Sequence, residues 1–278
     1  MEMLVTPAWL AAQSEAKIVD ATYYALEPER DARADFEAGH VPGALFLDLE
    51  HLADASSPWP SMAPPADQFE ERLRALGIDE GDVVILYDQA PHKTAARAWW
   101  LFRLFGFERV ALLDGGFARW KAEGLPVEAG AVAEPGGGTA TVTFHPELAR
   151  NVAQVTAMLD AGAAGQIVDA RSESRFTGAE KDPRPGVASG HMPGAANLRY
   201  GRLFEADGTW KSPGAIAEAF RAEGVDLEKP IVTTCGSGIT ASILLFGLAL
   251  TGKADWALYD GSWSEWGALP ETPKESVA

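Results

Sequence analysis

The chain has 278 residues, 47% of them hydrophobic and 23% charged, which fits one large globular domain or two ordinary ones and excludes a disordered or membrane-embedded chain. Its formal net charge of −17 repels phosphate backbones, so no nucleic-acid partner is expected, and no run approaches the roughly 20 apolar residues that cross a bilayer, so no membrane partner is expected. The single cysteine excludes an internal disulfide and any cysteine-based zinc cluster.

In chain order, residues 1–10 lack the basic and apolar regions of a signal peptide, and a cytoplasmic location is expected. Ile18-Val19-Asp20 reads as a buried strand that ends in a carboxylate. Gly39-His40-Val41-Pro42-Gly43-Ala44 is a turn by composition. Residues 83–87 form a second strand-like run, 95–105 a helical stretch, and 110–113 a third strand that runs into Asp114-Gly115-Gly116-Phe117. Residues 128–143, with Glu134-Pro135-Gly136-Gly137-Gly138-Thr139, have the composition of a flexible connector.

The order then starts again. Ile167-Val168-Asp169-Ala170 repeats residues 18–21, and Gly190-His191-Met192-Pro193-Gly194-Ala195 repeats 39–44. Gly224-Val225-Asp226 repeats 77–79, and Asp260-Gly261-Ser262-Trp263 repeats 114–117, all at offsets of 146 to 151 residues. Four matches in one order mark a duplication. Residues 231–234 and 256–259 are the matching strands, and 240–251 the matching helix. The series predicts an α/β fold: two tandem domains, each a parallel sheet with helices on both faces. The expected domains are 1–126 and 146–278, joined by a linker over 127–145.

In parallel α/β sheets, ligands sit beyond the carboxyl ends of the strands. Cys235 lies at such a place, in the loop Cys235-Gly236-Ser237-Gly238-Ile239-Thr240. Gly236 and Gly238 let successive N–H groups turn inward as an anion-binding nest, and the following helix adds its positive end. Both favour the thiolate, the nucleophilic form of cysteine, and Ser237 can donate a further hydrogen bond. The competing reading is a buried cysteine that only fills the core; the paired glycines speak against it. The matching position in the first copy is Asp88, in Asp88-Gln89-Ala90-Pro91-His92-Lys93. One copy keeps a reactive loop and the other does not.

On these motifs, together with Arg97-Ala98-Trp99-Trp100 and Asp260-Gly261-Ser262-Trp263-Ser264-Glu265-Trp266, the chain resembles the tandem-domain rhodanese family over nearly its whole length. Within that family it is similar to the 3-mercaptopyruvate sulfurtransferase branch. The resemblance implies a sulfurtransferase that carries sulfur as a persulfide on Cys235, with an inactive first domain marked by Asp88. Members that prefer thiosulfate carry Arg and Lys inside the loop, where this chain has Gly236 and Ser237.

The resemblance also implies a set of site residues. Arg175 and Arg184 match arginines that hold the carboxylate and keto oxygen of the donor, and a guanidinium can grip a carboxylate bidentately. Gly236, Gly238, Ile239 and Thr240 complete the substrate loop around Cys235 and Ser237. His40 matches a histidine that relays a proton to the loop serine, with Glu29, eleven positions earlier, standing where some relatives have Asp. His191 occupies the same turn in the second copy, so a turn-forming role explains His40 equally well. Arg171 and Arg97 are further candidates, Arg97 alternatively as a brace through Trp99 or Trp100. No metal or organic cofactor is implied. The expected acceptor is a thiol such as thioredoxin or a low-molecular-weight thiol, or cyanide.

His51, His92 and His145 show no ligand spacing, and Trp59 and Trp210 lie in loops that could rim a cleft. Three alternatives stay open: a thiosulfate:cyanide sulfurtransferase, a cysteine phosphatase, and a non-catalytic binding module. The phosphatase needs Arg at the sixth position after the cysteine, where this chain has Ala241.

Overall fold

The computed structural model describes residues 2–277 apart from Leu26, Pro28, Ala164 and Gly165. The chain divides into two compact units, one of residues 1–55, 63–145 and 207–209 and the other of 56–62, 146–206 and 210–278. Among the described residues, no helix is long and apolar enough to cross a membrane.

The first unit contains strands β1 (Leu4–Val5), β2 (Lys17–Asp20), β3 (Leu45–Phe46), β4 (Val84–Tyr87) and β5 (Val110–Leu113). Its helices are α1 (Pro7–Ala11), α2 (Ala32–Ala38), α3 (Leu49–Leu52), α4 (Ala66–Ala75), α5 (Ala95–Leu104) and α6 (Gly116–Ala122). The second contains β6 (Ala149–Arg150), β7 (Ile167–Asp169), β8 (Ala196–Asn197), β9 (Ile231–Thr234) and β10 (Trp256–Tyr259). Its helices are α7 (Val152–Asp160), α8 (Glu173–Thr177), α9 (Pro213–Ala222), α10 (Ala241–Leu250) and α11 (Ser262–Trp266).

The sheets run β1-β5-β4-β2-β3 and β6-β10-β9-β7-β8, so strands of the same rank in each unit take the same places. All pairings are parallel. The central strands β4 and β9 are buried throughout, as a parallel sheet covered on both faces requires. Helix α10 is apolar on all sides because every residue from Ala241 to Ala249 is buried; it is a rigid support behind the loop that precedes it. Side-chain details repeat as well. Trp120 Nε1 donates to the Pro126 carbonyl at 2.7 Å, and Trp266 Nε1 to the Pro273 carbonyl at 2.8 Å.

The Gly-rich stretch expected as a flexible connector is tied down along the first unit. The N–H groups of Gly136, Gly138 and Ala140 donate to the carbonyls of Ala75, Arg74 and Ile78, and Thr139 donates to Asp79 Oδ1 through both N–H and hydroxyl, each at 2.7 Å. A Cβ on Gly138 would lie 2.6 Å from the Ile78 carbonyl oxygen. The residue is glycine because two backbones touch, a cause that composition alone does not separate from looseness.

Candidate active site

The carboxyl ends of β7, β9 and β10 lie at one edge of the second sheet, with Asp169 beside Thr234 and Leu258 beside Thr233. Cys235 follows β9, the middle strand, and is 2% exposed. Its loop is fixed from below by α11. The Cys235 carbonyl accepts from Trp263 N–H at 3.0 Å, and the Gly236 carbonyl from Ser264 N–H at 2.9 Å and from Ser264 Oγ at 2.6 Å. The Gly238 carbonyl accepts from Ser242 Oγ at 2.9 Å. With these carbonyls held away, the N–H groups of Gly236, Ser237 and Ile239 have no acceptor among the described residues. Gly238 has φ +80°, the left-handed conformation that an N–H nest needs and that glycine adopts without strain.

The nest is narrower than the glycine spacing suggested. The N–H groups of Cys235 and Gly238 donate to Ser262 Oγ at 3.2 and 3.1 Å, and that hydroxyl donates to the Tyr259 carbonyl at 2.8 Å. Ser262 was missed as a site residue. The Asp-Gly-Ser-Trp repeat located it, but only the fold puts its hydroxyl under the loop. Helix α10 begins at Ala241, with half-buried Thr240 at its N-cap and Ile239 buried before it.

Arg175, on α8, and Arg184, in the following loop, converge on the same place. A Cβ on Gly236 would lie 3.0 Å from Arg184 Nη2 and 3.6 Å from Arg175 Nη2. Both guanidiniums therefore lie against the residue next to the thiol, and a side chain there would have to push them aside. Asp182 holds them together and was also missed, although a carboxylate between the two arginines was visible in the sequence. Arg175 Nε is buried without an acceptor, and the Ser237 hydroxyl has no partner among the described residues.

Arg171 is not free to bind a donor. Its guanidinium pairs with Asp169 at 2.6 Å, donates to the Gly190 carbonyl at 2.9 Å, and stacks 4.5 Å from the Trp263 ring centroid. Trp210 is half-buried and packs on Phe204 and Phe246, the latter in α10.

His40, Glu29 and Arg97 belong to the first unit. His40 Nδ1 faces the Phe36 carbonyl at 2.8 Å and its ring stacks on Phe36, while Nε2 faces Glu128 at 4.0 Å. His191 does the same with Phe176 and Glu275. Each histidine also bridges its glutamate through the backbone. The acidic neighbour of His40 is thus Glu128 rather than the expected Glu29, which is exposed. Arg97 is buried with its guanidinium 4.4 Å from the Trp100 ring centroid.

The first unit's equivalent loop has no thiol. Asp88 Oδ2 accepts from Ala95 N–H at 2.8 Å, and the Asp88 carbonyl accepts from Phe117 N–H at 3.1 Å, as Cys235 does from Trp263. Burial pushes the Asp88 carboxyl up to about 6, against the pull of Lys93.

Comparison with known proteins agrees with this architecture. The family model for the rhodanese-like domain matches residues 6–123 and again 151–269. The chain is 39% identical over 273 residues to the 3-mercaptopyruvate sulfurtransferase of Escherichia coli strain K12, covering 97% of this chain and 96% of that protein. It is also 39% identical over 275 residues to the thiosulfate sulfurtransferase of Gallus gallus, covering 95% and 92%. The crystal structure of the E. coli 3-mercaptopyruvate sulfotransferase SseA superposes with a TM-score of 0.85 at 36% identity, covering 95% of this chain and 99% of that one. With one such domain in each half of its length, each built on the same five-stranded parallel sheet, the chain belongs to the rhodanese family.

Proposed function

We propose that this chain is a sulfurtransferase that takes sulfur from 3-mercaptopyruvate onto Cys235 and passes it to a thiol. One observation carries the choice of donor: the guanidiniums of Arg175 and Arg184 lie over Gly236, one residue from the thiol. Identity alone does not choose, since relatives named for either donor reach 39%. The uncharged loop and the paired guanidiniums fit a small carboxylate.

In the proposed reaction the donor's carboxylate and keto oxygen sit on Arg175 and Arg184. The Cys235 thiolate attacks the donor sulfur, a sulfur–sulfur bond forms, and the carbon–sulfur bond breaks with its electron pair going to C3. The products are a Cys235 persulfide and the enolate of pyruvate. The unacceptored N–H groups of Gly236, Ser237 and Ile239 hydrogen-bond the persulfide. The Ser237 hydroxyl hydrogen-bonds the developing enolate, which takes a proton from solvent at C3. An acceptor thiolate, such as that of thioredoxin or a small thiol, then attacks the outer sulfur and frees Cys235. Ile239 and Thr240 shape the loop. His40, sharing the packing of His191, is assigned to its turn rather than to proton transfer, and Glu29 and Arg97 to no catalytic step. The first domain, with Asp88 in place of the thiol, does no sulfur chemistry. A reduced cysteine suits a reducing compartment, and the cytoplasm is the proposed location.

The test is incubation with 3-mercaptopyruvate, alone and with a thiol. Wild-type protein gains one sulfur atom by intact mass and releases pyruvate, whereas Cys235→Ser does neither. Pyruvate release by the variant at the wild-type rate would remove Cys235 from the reaction.

A further inference from the structure

The two arginines over Gly236 do not face a donor with their full charge. Asp182, 2% exposed in its side chain, accepts from Arg175 Nη2 at 2.8 Å and from Arg184 Nη1 at 3.2 and 3.3 Å. Its Oδ1 also accepts from the Arg184 N–H at 3.0 Å. Burial alone would raise this carboxyl, but the Arg184 N–H, the Arg175 hydrogen bond and the two guanidinium charges outweigh it and hold Asp182 below the ordinary carboxylate range. Asp182 is therefore ionised at neutral pH. Two guanidiniums against one carboxylate leave a single net positive charge on the cluster beside Gly236, and the only charge that the Cys235–Thr240 loop can add is the negative one of the Cys235 thiolate. Asp182 also occupies Arg175 Nη2 and Arg184 Nη1, which leaves Arg175 Nε and Arg184 Nη2 as donors without a protein partner among the described residues.

We infer that Asp182 is a positioning residue that sets the donor subsite to one net positive charge, so that the subsite accepts a monoanionic carboxylate and discriminates against a dianion such as thiosulfate. This rests on the sulfurtransferase reading above. A monoanion neutralises the cluster. A dianion leaves one negative charge uncompensated in a half-buried place, where an unpaired charge is costly. Gly236 reinforces the effect, because it brings no positive charge of its own to the two guanidiniums beside it.

The experiment compares kcat/KM for 3-mercaptopyruvate and thiosulfate in wild type, Asp182→Asn and Asp182→Glu. In Asp182→Asn the ratio of the two falls at least tenfold, chiefly through a lower KM for thiosulfate, and Asp182→Glu keeps the wild-type ratio. Equal changes for both donors, as a loss of structure alone would give, overturn the inference, as does an unchanged ratio. Should Asp182→Asn not fold, wild type alone decides. At constant ionic strength, pyruvate slows alkylation of Cys235 by iodoacetamide more than sulfate does at the same concentration; equal protection overturns the inference. A wild-type chain that releases no pyruvate from 3-mercaptopyruvate is a separate result, which removes the sulfurtransferase reading and this inference with it.

Discussion

The backbone N–H of Cys235 donates to the hydroxyl of Ser262 across 3.2 Å, a contact between residues 27 apart in sequence. The same oxygen takes the N–H of Gly238, so one side chain fixes the reactive loop at its start and at its second glycine. Ser262 does this from a left-handed conformation, φ +50°, which costs a non-glycine residue about 1–3 kcal/mol. The equivalent residue of the first unit is Gly116, at φ +57°, where the loop carries Asp88 and no such hydroxyl is present.

Replacing Ser262 separates strain from bonding. Ser262→Ala keeps the strained backbone and strands two buried N–H groups, each worth about 1–3 kcal/mol. Ser262→Gly relieves the strain but loses the same acceptor. Thermal denaturation should order the proteins wild type, Ser262→Gly, Ser262→Ala, and both variants should load sulfur at least tenfold more slowly by intact mass. A loading rate unchanged in either variant would show that the hydroxyl does not position the loop.

Arg171 is a buried cation paired with Asp169 and stacked on Trp263. Arg171→Ala leaves Asp169 buried without its partner and removes the stack on Trp263, whose N–H holds the Cys235 carbonyl. Breaking one side of a buried ion pair costs about 3–5 kcal/mol. Urea titration should show a loss of that size, and a loss below 1 kcal/mol would count against the pairing.

Arg175→Ala and Arg184→Ala each remove a charged hydrogen-bond donor from the proposed donor site. At about 1.5–3 kcal/mol for such a bond, the KM for 3-mercaptopyruvate should rise about 10- to 100-fold, with Cys235 still open to alkylation by a neutral reagent. An unaltered KM in both variants would place donor binding elsewhere.

Asp88 makes stability depend on pH. Its carboxyl is pushed up to about 6 in the folded chain from an ordinary value of 3.8. Between those values the folded state holds a proton that the unfolded chain has released. Its contribution to stability is therefore greatest below pH 4 and is lost as the pH rises through 6, by about 3 kcal/mol in all. Asp88→Asn keeps an acceptor for Ala95 N–H and never ionises. The difference in unfolding free energy between variant and wild type should grow in the variant's favour from pH 4 to 7. A pH-independent difference would mean that Asp88 is not a titrating buried carboxyl.

Much of this molecule is legible in one dimension. β5, β7, β9 and β10 fall on the residues that their β-branched and apolar runs indicate, and the repeats mark both copies of the sheet. The two-residue strands β1, β3, β6 and β8 are invisible in the sequence, because an edge pairing so short leaves no periodic pattern and exists only against its neighbour. The partner of His40 was sought eleven residues upstream; the chain instead returns Glu128 to it, as it returns Glu275 to His191.

The linear order of residues therefore settles the duplicated α/β architecture, the solitary thiol at the end of a central strand, and the asymmetry between Cys235 and Asp88. These are local patterns and repeats, which need no knowledge of distant contacts. Tertiary structure alone decides that Ser262 lies beneath the loop, that Asp182 gathers Arg175 and Arg184 onto Gly236, and that Arg171 is locked to Asp169. Hydrogen bonds and ion pairs form between whichever groups the packed sheet brings within about 3 Å, and that proximity is a property of the folded chain.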